Sequence, residues 1–243
     1  MLTESHQSAL TFERQAPFIA FVGVMGVGKS TLTQALAQRL GAKSLIEPGA
    51  EAWPIAGDKW EEHAFILEQW VRNINLAHFN EALDLTENGT AVVADGGLFL
   101  LTKECIDNPS CQFYFGLFSD KEKQETRQVA QMDWNEAPCP NILVLLETDI
   151  DTWKRFLSLR GRAMDGNEEF IANYTGQQKV IREAAQKYAA EKGIKLISFM
   201  NIFSKNIENA DRLYLEIKNS LHEPTVNHQA VPHKINTPGN APH

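Results

Sequence analysis

Short apolar runs alternate along most of the chain with segments whose apolar residues recur at helical spacing. The apolar runs at residues 18–23, 44–46, 91–94, 141–146 and 195–199 predict strands. Periodic segments at about residues 29–40, 60–85, 150–159 and 168–190, and one ending near residue 221, predict helices. Strands that alternate with helices form right-handed βαβ units. The pattern therefore predicts an α/β fold with three layers, α/β/α, around a five-stranded parallel sheet.

The two ends of the chain do not follow this pattern. Residues 1–16 predict a flexible leader, and residues 222–243 predict a disordered tail. The tail contains proline, asparagine and histidine but few large apolar residues, so burial cannot offset the entropy of ordering it. The sequence thus indicates one folded domain over residues 17–221.

Composition narrows the classes of partner. A net charge of −8 argues against nucleic acid and against an anionic membrane, and no apolar stretch approaches the roughly 20 residues that span a bilayer. The start of the chain lacks a basic segment followed by an apolar one, so no secretory signal is expected. Cys105, Cys111 and Cys139 fit neither a zinc site nor a disulfide framework. Together these features predict a cytoplasmic protein with reduced thiols.

A phosphate-binding loop follows the first predicted strand and opens the first predicted helix. The residues GVMGVGKS match G-x-x-x-x-G-K-[ST] in full, which predicts a P-loop NTPase fold that binds ATP with Mg²⁺. In such a loop, backbone N–H groups surround the phosphates, Lys29 lies on the β- and γ-oxygens, and Ser30 binds Mg²⁺. The predicted nucleotide contacts are Gly23, Val24, Met25, Gly26, Val27, Gly28, Lys29, Ser30 and Thr31.

Two carboxylates follow predicted strands, as a kinase acting on a small molecule would require. Glu47, after the second strand, is placed to accept a hydroxyl proton, although a solvated loop glutamate would have the same spacing. Asp95, after the third strand, is placed to bind Mg²⁺, although Asp-Gly is also a common turn.

Further candidates lie on two predicted helices. Arg160 and Arg162 end a basic helix and predict a lid over the transferred phosphoryl group; a solvated helix end is the alternative. On the second helix, Gln69 is a candidate for hydrogen bonding to a base, with Trp53 or Trp70 stacking on it. Aromatic residues at helical spacing are more often core.

In order, these segments resemble the deoxynucleoside kinase family over about residues 17–221. The segments are GVMGVGKSTL, IEPGAEAW, FILEQW, VVADGG and NILVLLETDIDTWKRFLSLRGRAMD leading into EEFIANY. The resemblance implies Glu47 as the base for a sugar 5′-hydroxyl, Trp53 against the substrate base, and Gln69 hydrogen bonding to it. It also implies a lid containing Arg160 and Arg162. The family is commonly dimeric, so a homodimer is expected.

One departure concerns the triplet after the third strand. The family has Asp or Glu followed by Arg-Ser, whereas this chain has Asp95-Gly96-Gly97, so the arginine that helps position base and phosphates is absent. Arg72, Lys103 and Arg127 are candidates to replace it, and Arg72 is counted among the substrate contacts. Restoring the arginine by Gly96→Arg is expected to change activity or substrate preference.

The sequence thus predicts a kinase that transfers a phosphoryl group from ATP to the 5′-hydroxyl of a deoxynucleoside. A nucleoside monophosphate kinase of the thymidylate type is one alternative, because it shares the phosphate loop and the basic lid. A nucleotide-binding protein that has lost catalysis is the other, because of the unusual triplet at residue 95.

Overall fold

The computed structural model describes residues 16–55, 59–203 and 205–222. Apart from Ala16 and His222, the predicted leader and the predicted tail lie outside these ranges. Among the described residues, no helix combines the length and the apolar character needed to cross a bilayer.

A parallel five-stranded sheet forms the middle layer. In chain order its strands are β1 (Phe18–Val22), β2 (Lys43–Leu45), β3 (Val92–Ala94), β4 (Ile142–Glu147) and β5 (Lys195–Met200). Their spatial order is β2-β3-β1-β4-β5, so β1 is central. Every residue of β1 and β4 is buried, which explains their continuous apolar runs. The predicted α/β/α sheet fold and its strands are confirmed, with boundaries that differ by one residue.

Helices cover both faces of the sheet. The longer ones are α1 (Lys29–Leu40), α2 (Ala64–Glu87), α5 (Asp120–Glu136), α6 (Ile150–Arg160), α8 (Tyr174–Lys192) and α9 (Asn206–His222). The shorter ones are α3 (Thr102–Cys105), α4 (Gln112–Phe115) and α7 (Glu168–Ala172). Helix α1 packs against α9, whereas α2 packs on β1 and β3, and α8 on β4 and β5.

Two helical regions differ from the sequence prediction. The single helix predicted over residues 168–190 is two helices, α7 and α8, which meet at Asn173. Helix α5 was not predicted, because its few apolar residues give a weak period. Its start does carry a signal: Ser119 accepts from the Glu122 N–H while the Glu122 side chain accepts from the Ser119 N–H.

Candidate active site

A cavity of about 720 Å³ opens beyond the carboxyl ends of the strands, where parallel sheets bind their ligands. Its volume lies within the range of small-molecule sites. The phosphate loop, the residues after β2 and β3, helix α2 and the end of α6 all contribute to its wall. The charged side chains that line it are Lys29, Glu47, Glu68, Arg72, Asp95, Arg160 and Arg162.

The phosphate loop is held from outside by two side chains. Trp153 on α6 donates from Nε1 to the Met25 carbonyl at 2.8 Å, and Asn201 after β5 donates from Nδ2 to the Val27 carbonyl at 2.8 Å. Gly28 has φ +94°, and a Cβ there would lie 2.7 Å from Asn201 Nδ2, so only glycine fits. The loop is therefore fixed before any ligand binds.

Most of the predicted nucleotide contacts line the cavity. They are Val24, Met25, Gly26, Gly28, Lys29, Ser30 and Thr31, while Gly23 and Val27 are buried and not among the lining residues. Lys29 Nζ donates to the carbonyl oxygens of Gly23 and Val24 at 2.9 and 3.1 Å. Burial lowers the pKa of Lys29, and Glu47 and Asp95 oppose that shift. The ammonium group thus lies at the loop, near two carboxylates.

Glu47 is positioned by contacts to both its backbone and its side chain. Asp95, which is 1% exposed, accepts from the Glu47 backbone N–H through Oδ1 at 2.5 Å. Asn75 on α2 donates from Nδ2 to Glu47 Oε2 at 3.1 Å. Burial raises the pKa of Glu47, while the Asn75 amide and Lys29 oppose the rise. A buried carboxylate with a raised pKa is a stronger proton acceptor near neutral pH.

Asn75 also explains why glycine follows Asp95. Gly96 has φ +82°, and a Cβ on it would lie 2.1 Å from Asn75 Oδ1. Asn75 is 2% exposed, and its Oδ1 has no hydrogen-bond partner among the described residues. The space beside residue 96 is therefore filled by the amide that positions Glu47. An arginine at residue 96 would have to displace this amide, and the expected change of activity or substrate preference in Gly96→Arg stays a prediction.

We expect Gly96→Ala to lower turnover by about tenfold, because the Cβ displaces Asn75 and a small misplacement of a reacting group is costly. Alanine at positive φ should also cost about 1–2 kcal/mol of folding stability. Gly89→Ala is the matched control, since Gly89 has φ +81° with nothing within 4 Å of its Cβ. Turnover and thermal unfolding of both variants test this. Equal turnover in the two would contradict the role of Asn75.

The predicted lid arginines both line the cavity, in different environments. Arg160 forms an ion pair with the buried Asp165, and its Nε lies 3.0 Å from Oδ2. Asp165 Oδ2 also accepts from the Arg162 backbone N–H at 2.9 Å. The Arg162 guanidinium lies 5.5 Å from the centre of the Trp53 ring. Burial and Arg160 lower the pKa of Arg162, which marks it as a desolvated cation in the cavity.

Arg162→Ala is expected to lower turnover by about 10²-fold while leaving the melting temperature near wild type, because the side chain forms no ion pair with a described residue. Arg160→Ala should have a similar effect on turnover and should also destabilise the fold by about 1–3 kcal/mol, since the buried Asp165 loses its ion-pair partner and keeps only the Arg162 backbone N–H. Lys154→Ala, an exposed change on the same helix, is the control. Variants that changed only thermal stability would show that this segment has a structural role alone.

Helix α2 presents a different residue to the cavity from the one predicted. Gln69 is not among the lining residues, whereas Glu68 and Arg72 are. Successive residues differ by about 100° around a helix, so a shift of one position moves a side chain off the cavity face. The placement of Gln69 against a substrate base is therefore not supported by the structure. The sequence leaves the register between Glu68 and Gln69 open, and the structure places Glu68 at the cavity.

The three proposed replacements for the missing family arginine have other partners. Arg72 donates to both carboxylate oxygens of Asp133, at 2.6 and 2.5 Å. Arg127 pairs with Asp107 on the surface, and Lys103 lies over the Trp134 ring at 4.8 Å. Of the three, Arg72 alone lines the cavity. Its guanidinium is committed to Asp133, so it does not substitute for a free cation.

The donor groups present fit a magnesium ion bound together with a nucleotide. Ser30 is exposed at the end of the loop, and Asp95 lines the same cavity; both were predicted to bind the metal. No group of three or more His, Cys, Asp or Glu side chains suited to a metal occurs among the described residues. Mg²⁺ bound with a nucleotide needs only one or two protein groups, because phosphate oxygens and water complete its shell.

Comparison with known proteins adds relatives and structural neighbours, although no protein-family model matches the chain. A deoxyadenosine kinase of Lactobacillus acidophilus is 23% identical over 153 residues, with 60% of this chain and 68% of the relative covered. A deoxyadenosine/deoxycytidine kinase of Bacillus subtilis is 27% identical over 164 residues, with coverage of 60% and 67%.

Solved structures share the fold. The structure of deoxyadenosine kinase from M. mycoides with bound dATP has a TM-score of 0.58 at 14% identity, with 83% of this chain and 99% of that chain covered. The structure of the same enzyme with dCMP and dCDP bound has a TM-score of 0.56 at 16% identity, with coverage of 83% and 98%.

The fold and the site together define a P-loop phosphotransferase. Among such enzymes the chain is similar to the deoxynucleoside kinases, and the resemblance seen in its sequence is confirmed by these relatives.

Proposed function

We propose that this chain transfers the γ-phosphoryl group of ATP to the 5′-hydroxyl of a deoxynucleoside. The observation that carries the proposal is the position of Glu47. Its carboxylate lies in the same cavity as a complete phosphate loop and is fixed by Asp95 and Asn75. The names of the two sequence relatives, a deoxyadenosine kinase and a deoxyadenosine/deoxycytidine kinase, support the same class of acceptor.

Five of the charged residues that line the cavity have a role in this reaction. The N–H groups of the phosphate loop bind the nucleotide phosphates, and Lys29 leaves its loop carbonyls to contact the β- and γ-oxygens. Glu47 accepts the proton of the 5′-hydroxyl as the oxygen attacks phosphorus. Arg160 and Arg162 stabilise the charge that develops on the transferred group. Mg²⁺, which Ser30 and Asp95 would hold, neutralises charge on the phosphates when bound.

Two features of the cavity favour an uncharged acceptor over a nucleoside monophosphate. A phosphate acceptor is already ionised and needs cations near it rather than a base. Beyond the phosphate loop the cavity instead presents the carboxylates of Glu47 and Glu68, which would repel it. The nearby Arg72 is bound by Asp133. A thymidylate-type kinase is therefore the less suitable candidate.

The same cavity argues against a protein that has lost catalysis. Gly96 leaves space for Asn75, and Asn75 orients Glu47. The departure from the family triplet is therefore compatible with a positioned catalytic base. The phosphate loop, the base, the acid for Mg²⁺ and the two arginines all line one cavity. An arrangement retained only for binding would not need this base.

The test is to incubate the purified chain with Mg-ATP and, separately, each deoxynucleoside, ribonucleoside and nucleoside monophosphate. Product would be identified by chromatography and mass spectrometry. A new 5′-monophosphate formed from a deoxynucleoside, absent with the Lys29→Ala variant, is the expected result. Product from monophosphates alone would favour the thymidylate-type alternative, and no product from any acceptor would favour the non-catalytic one.

We also propose that the enzyme acts in nucleotide salvage in the cytoplasm, as a homodimer. The assembly is supported by the family resemblance, and the acidic charge of −8 agrees with a small-molecule substrate. Light scattering coupled to size-exclusion chromatography measures the mass directly. A single species near the monomer mass of 27.3 kDa would contradict the dimer.

A further inference from the structure

Two cysteine thiols meet in the wall of the cavity, in the part that α3 and α4 form. Cys105 is the last residue of α3, and Cys111 directly precedes α4. Both side chains line the cavity, and both cysteines are reduced. Their thiols are hydrogen-bonded to each other. The transfer of a phosphoryl group uses neither of them, so the pair is a reactive group without a role in that reaction.

The backbone between the two cysteines folds back and fixes their positions. The Asn108 N–H donates to the Cys105 carbonyl at 3.0 Å, and the Cys111 N–H donates to the Asn108 carbonyl at 2.9 Å. The Gln112 side chain closes the same turn, since its Nε2 donates to the carbonyl oxygens of Ile106 and Asn108 at 3.0 and 3.3 Å. The spacing of six residues in the sequence does not reveal this approach of the two thiols.

The two thiols differ in acidity. The hydrogen bond from Cys105 lowers the pKa of the Cys111 thiol, although burial opposes the shift. The same contact, together with burial, raises the pKa of the Cys105 thiol. Cys111 is therefore the thiol that ionises first, and Cys105 is its protonated neighbour. Reversible oxidation sites have this arrangement, because the thiolate reacts with the oxidant and the neighbouring thiol then forms the disulfide.

A small oxidant can reach the pair through the cavity. Cys105 and Cys111 are buried, but both line a cavity that admits a small molecule. Cys139 lies elsewhere: it is exposed, it is not among the lining residues, and its Sγ lies 3.5 Å from Tyr188 Oη. The chain thus contains a separate thiol with which the pair can be compared.

A disulfide between the two cysteines would change the wall of the cavity. Its S–S bond of about 2.05 Å is shorter than any hydrogen bond, so α3 or α4 must move when it forms. Helix α4 carries Tyr114 and Phe115, which line the cavity, and Tyr114 Oη donates to the Ala64 carbonyl at 3.2 Å. Movement of α4 would therefore displace this wall. The phosphate loop is held by Trp153 and by the segment after β5, so it would be unaffected.

We propose that Cys105 and Cys111 form a redox site, which hydrogen peroxide converts to a disulfide that weakens binding of the acceptor nucleoside. A dithiol reductant restores the two thiols by exchange. The effect on the acceptor rests on the proposed function, whereas the chemistry of the two thiols does not.

The oxidation has two steps. The Cys111 thiolate attacks one oxygen of hydrogen peroxide, the O–O bond breaks, and the departing hydroxide takes a proton to become water. Cys111 is then a sulfenic acid. The Cys105 sulfur attacks the Cys111 sulfur, the S–O bond breaks, and the Cys105 proton joins the departing hydroxide as a second water. The two thiols lose two electrons, which reduce one peroxide to two waters.

The first experiment follows the thiols and needs no enzymatic activity. The reduced full chain is treated with hydrogen peroxide, the remaining thiols are alkylated, and mass spectrometry of peptides identifies the products over time. The Cys105–Cys111 disulfide should form before Cys139 is oxidised, and dithiothreitol should regenerate both thiols. Thiols that persist at both positions, separate sulfinic acids, or an earlier reaction of Cys139 would overturn the proposal.

The second experiment measures the effect on ligands. Calorimetric titration of deoxyadenosine and of ATP is carried out on the reduced and the oxidised chain, together with turnover. Affinity for deoxyadenosine should fall by at least about tenfold on oxidation and recover with dithiothreitol, because a small displacement of a cavity wall is costly. Affinity for ATP should stay near that of the reduced chain. Equal affinity for deoxyadenosine in the two forms would overturn the proposal.

Cys111→Ala is the decisive variant, because it removes the thiol that reacts first. Each variant is compared with its own untreated sample. Peroxide should leave the turnover of Cys111→Ala unchanged, whereas Cys139→Ala, the matched control, should lose activity as wild type does. Cys111→Ser serves the same purpose if the alanine variant does not fold. An equal loss of turnover in wild type and in the Cys111 variant would overturn the proposal.

The outcomes separate this inference from the proposed function. A disulfide that weakens nucleoside binding, in a chain that forms no phosphorylated product, would support the redox site and contradict the kinase proposal. A kinase equally active in both redox states would contradict the redox site alone. If no deoxynucleoside binds to either form and no product appears, both proposals fail.

Discussion

Lys29→Ala is expected to reduce phosphoryl transfer by at least about 10²–10³-fold, because the variant loses the cation that contacts the β- and γ-phosphates. The backbone of the loop should be unaffected, since Trp153 and Asn201 hold it through the carbonyl oxygens of Met25 and Val27. Folding stability should also be nearly unchanged. Burial lowers the pKa of Lys29, so its charge is held in the loop at a cost that alanine removes.

The measurements are turnover with a saturating acceptor, thermal unfolding, and ATP affinity by calorimetry. Lys29→Arg is the companion variant: it keeps a positive charge but changes its shape, so it distinguishes charge from geometry. Activity of Lys29→Ala within tenfold of wild type would contradict the assigned role. A large loss of stability would instead show that the contacts of Nζ to Gly23 and Val24 hold the loop together.

The phosphate loop could be predicted because its function is encoded in adjacent residues. The glycine spacing, Lys29 and Ser30 are all contiguous, and the strand and helix on either side have strong apolar patterns. Glu47 and Asp95 could be predicted from the sequence for a related reason. Each directly follows a strand or lies one residue beyond it, and the carboxyl ends of parallel strands converge at one edge of the sheet.

The contacts between distant residues could not be predicted. Asn75 contacts Gly96 and Glu47 only in the folded chain. From the sequence, Gly96 therefore indicated only that the family arginine is missing, and not that the Asn75 amide fills this space. Glu68 and Gln69 differ by one helical position, and the apolar pattern of α2 does not fix its rotation that finely. Helix α5 contributes Asp133, which pairs with Arg72 of the cavity, but the surface of this helix is too polar to give a clear period.

Glu47→Gln is expected to lower turnover by at least about 10²-fold, because a sugar hydroxyl is a poor nucleophile at neutral pH and general-base help is typically worth about 10²–10⁴-fold. Glutamine has nearly the same volume and can still bond to Asn75, but it cannot take the proton. ATP affinity, set by the phosphate loop, should stay near wild type. A phosphate acceptor would not show this loss, since it is ionised before it attacks.

The pH dependence of Glu47 gives an independent test with a definite sign. Burial raises the pKa of Glu47, so wild-type turnover should fall as pH drops through that raised value. This acid limb should be absent from the residual activity of Glu47→Gln.

The folding stability of wild type should instead fall as pH rises. The folded state holds the Glu47 proton more tightly than the unfolded state, so ionising the buried group costs wild type stability as pH rises through the raised pKa. Glu47→Gln should therefore match wild type in acid and exceed it above that pKa, as thermal unfolding across pH would measure. If Glu47→Gln lost stability together with activity, Glu47 would hold the cavity together rather than accept a proton. If Glu47→Gln phosphorylated its acceptor normally, both the role of Glu47 as base and the nucleoside proposal would be contradicted.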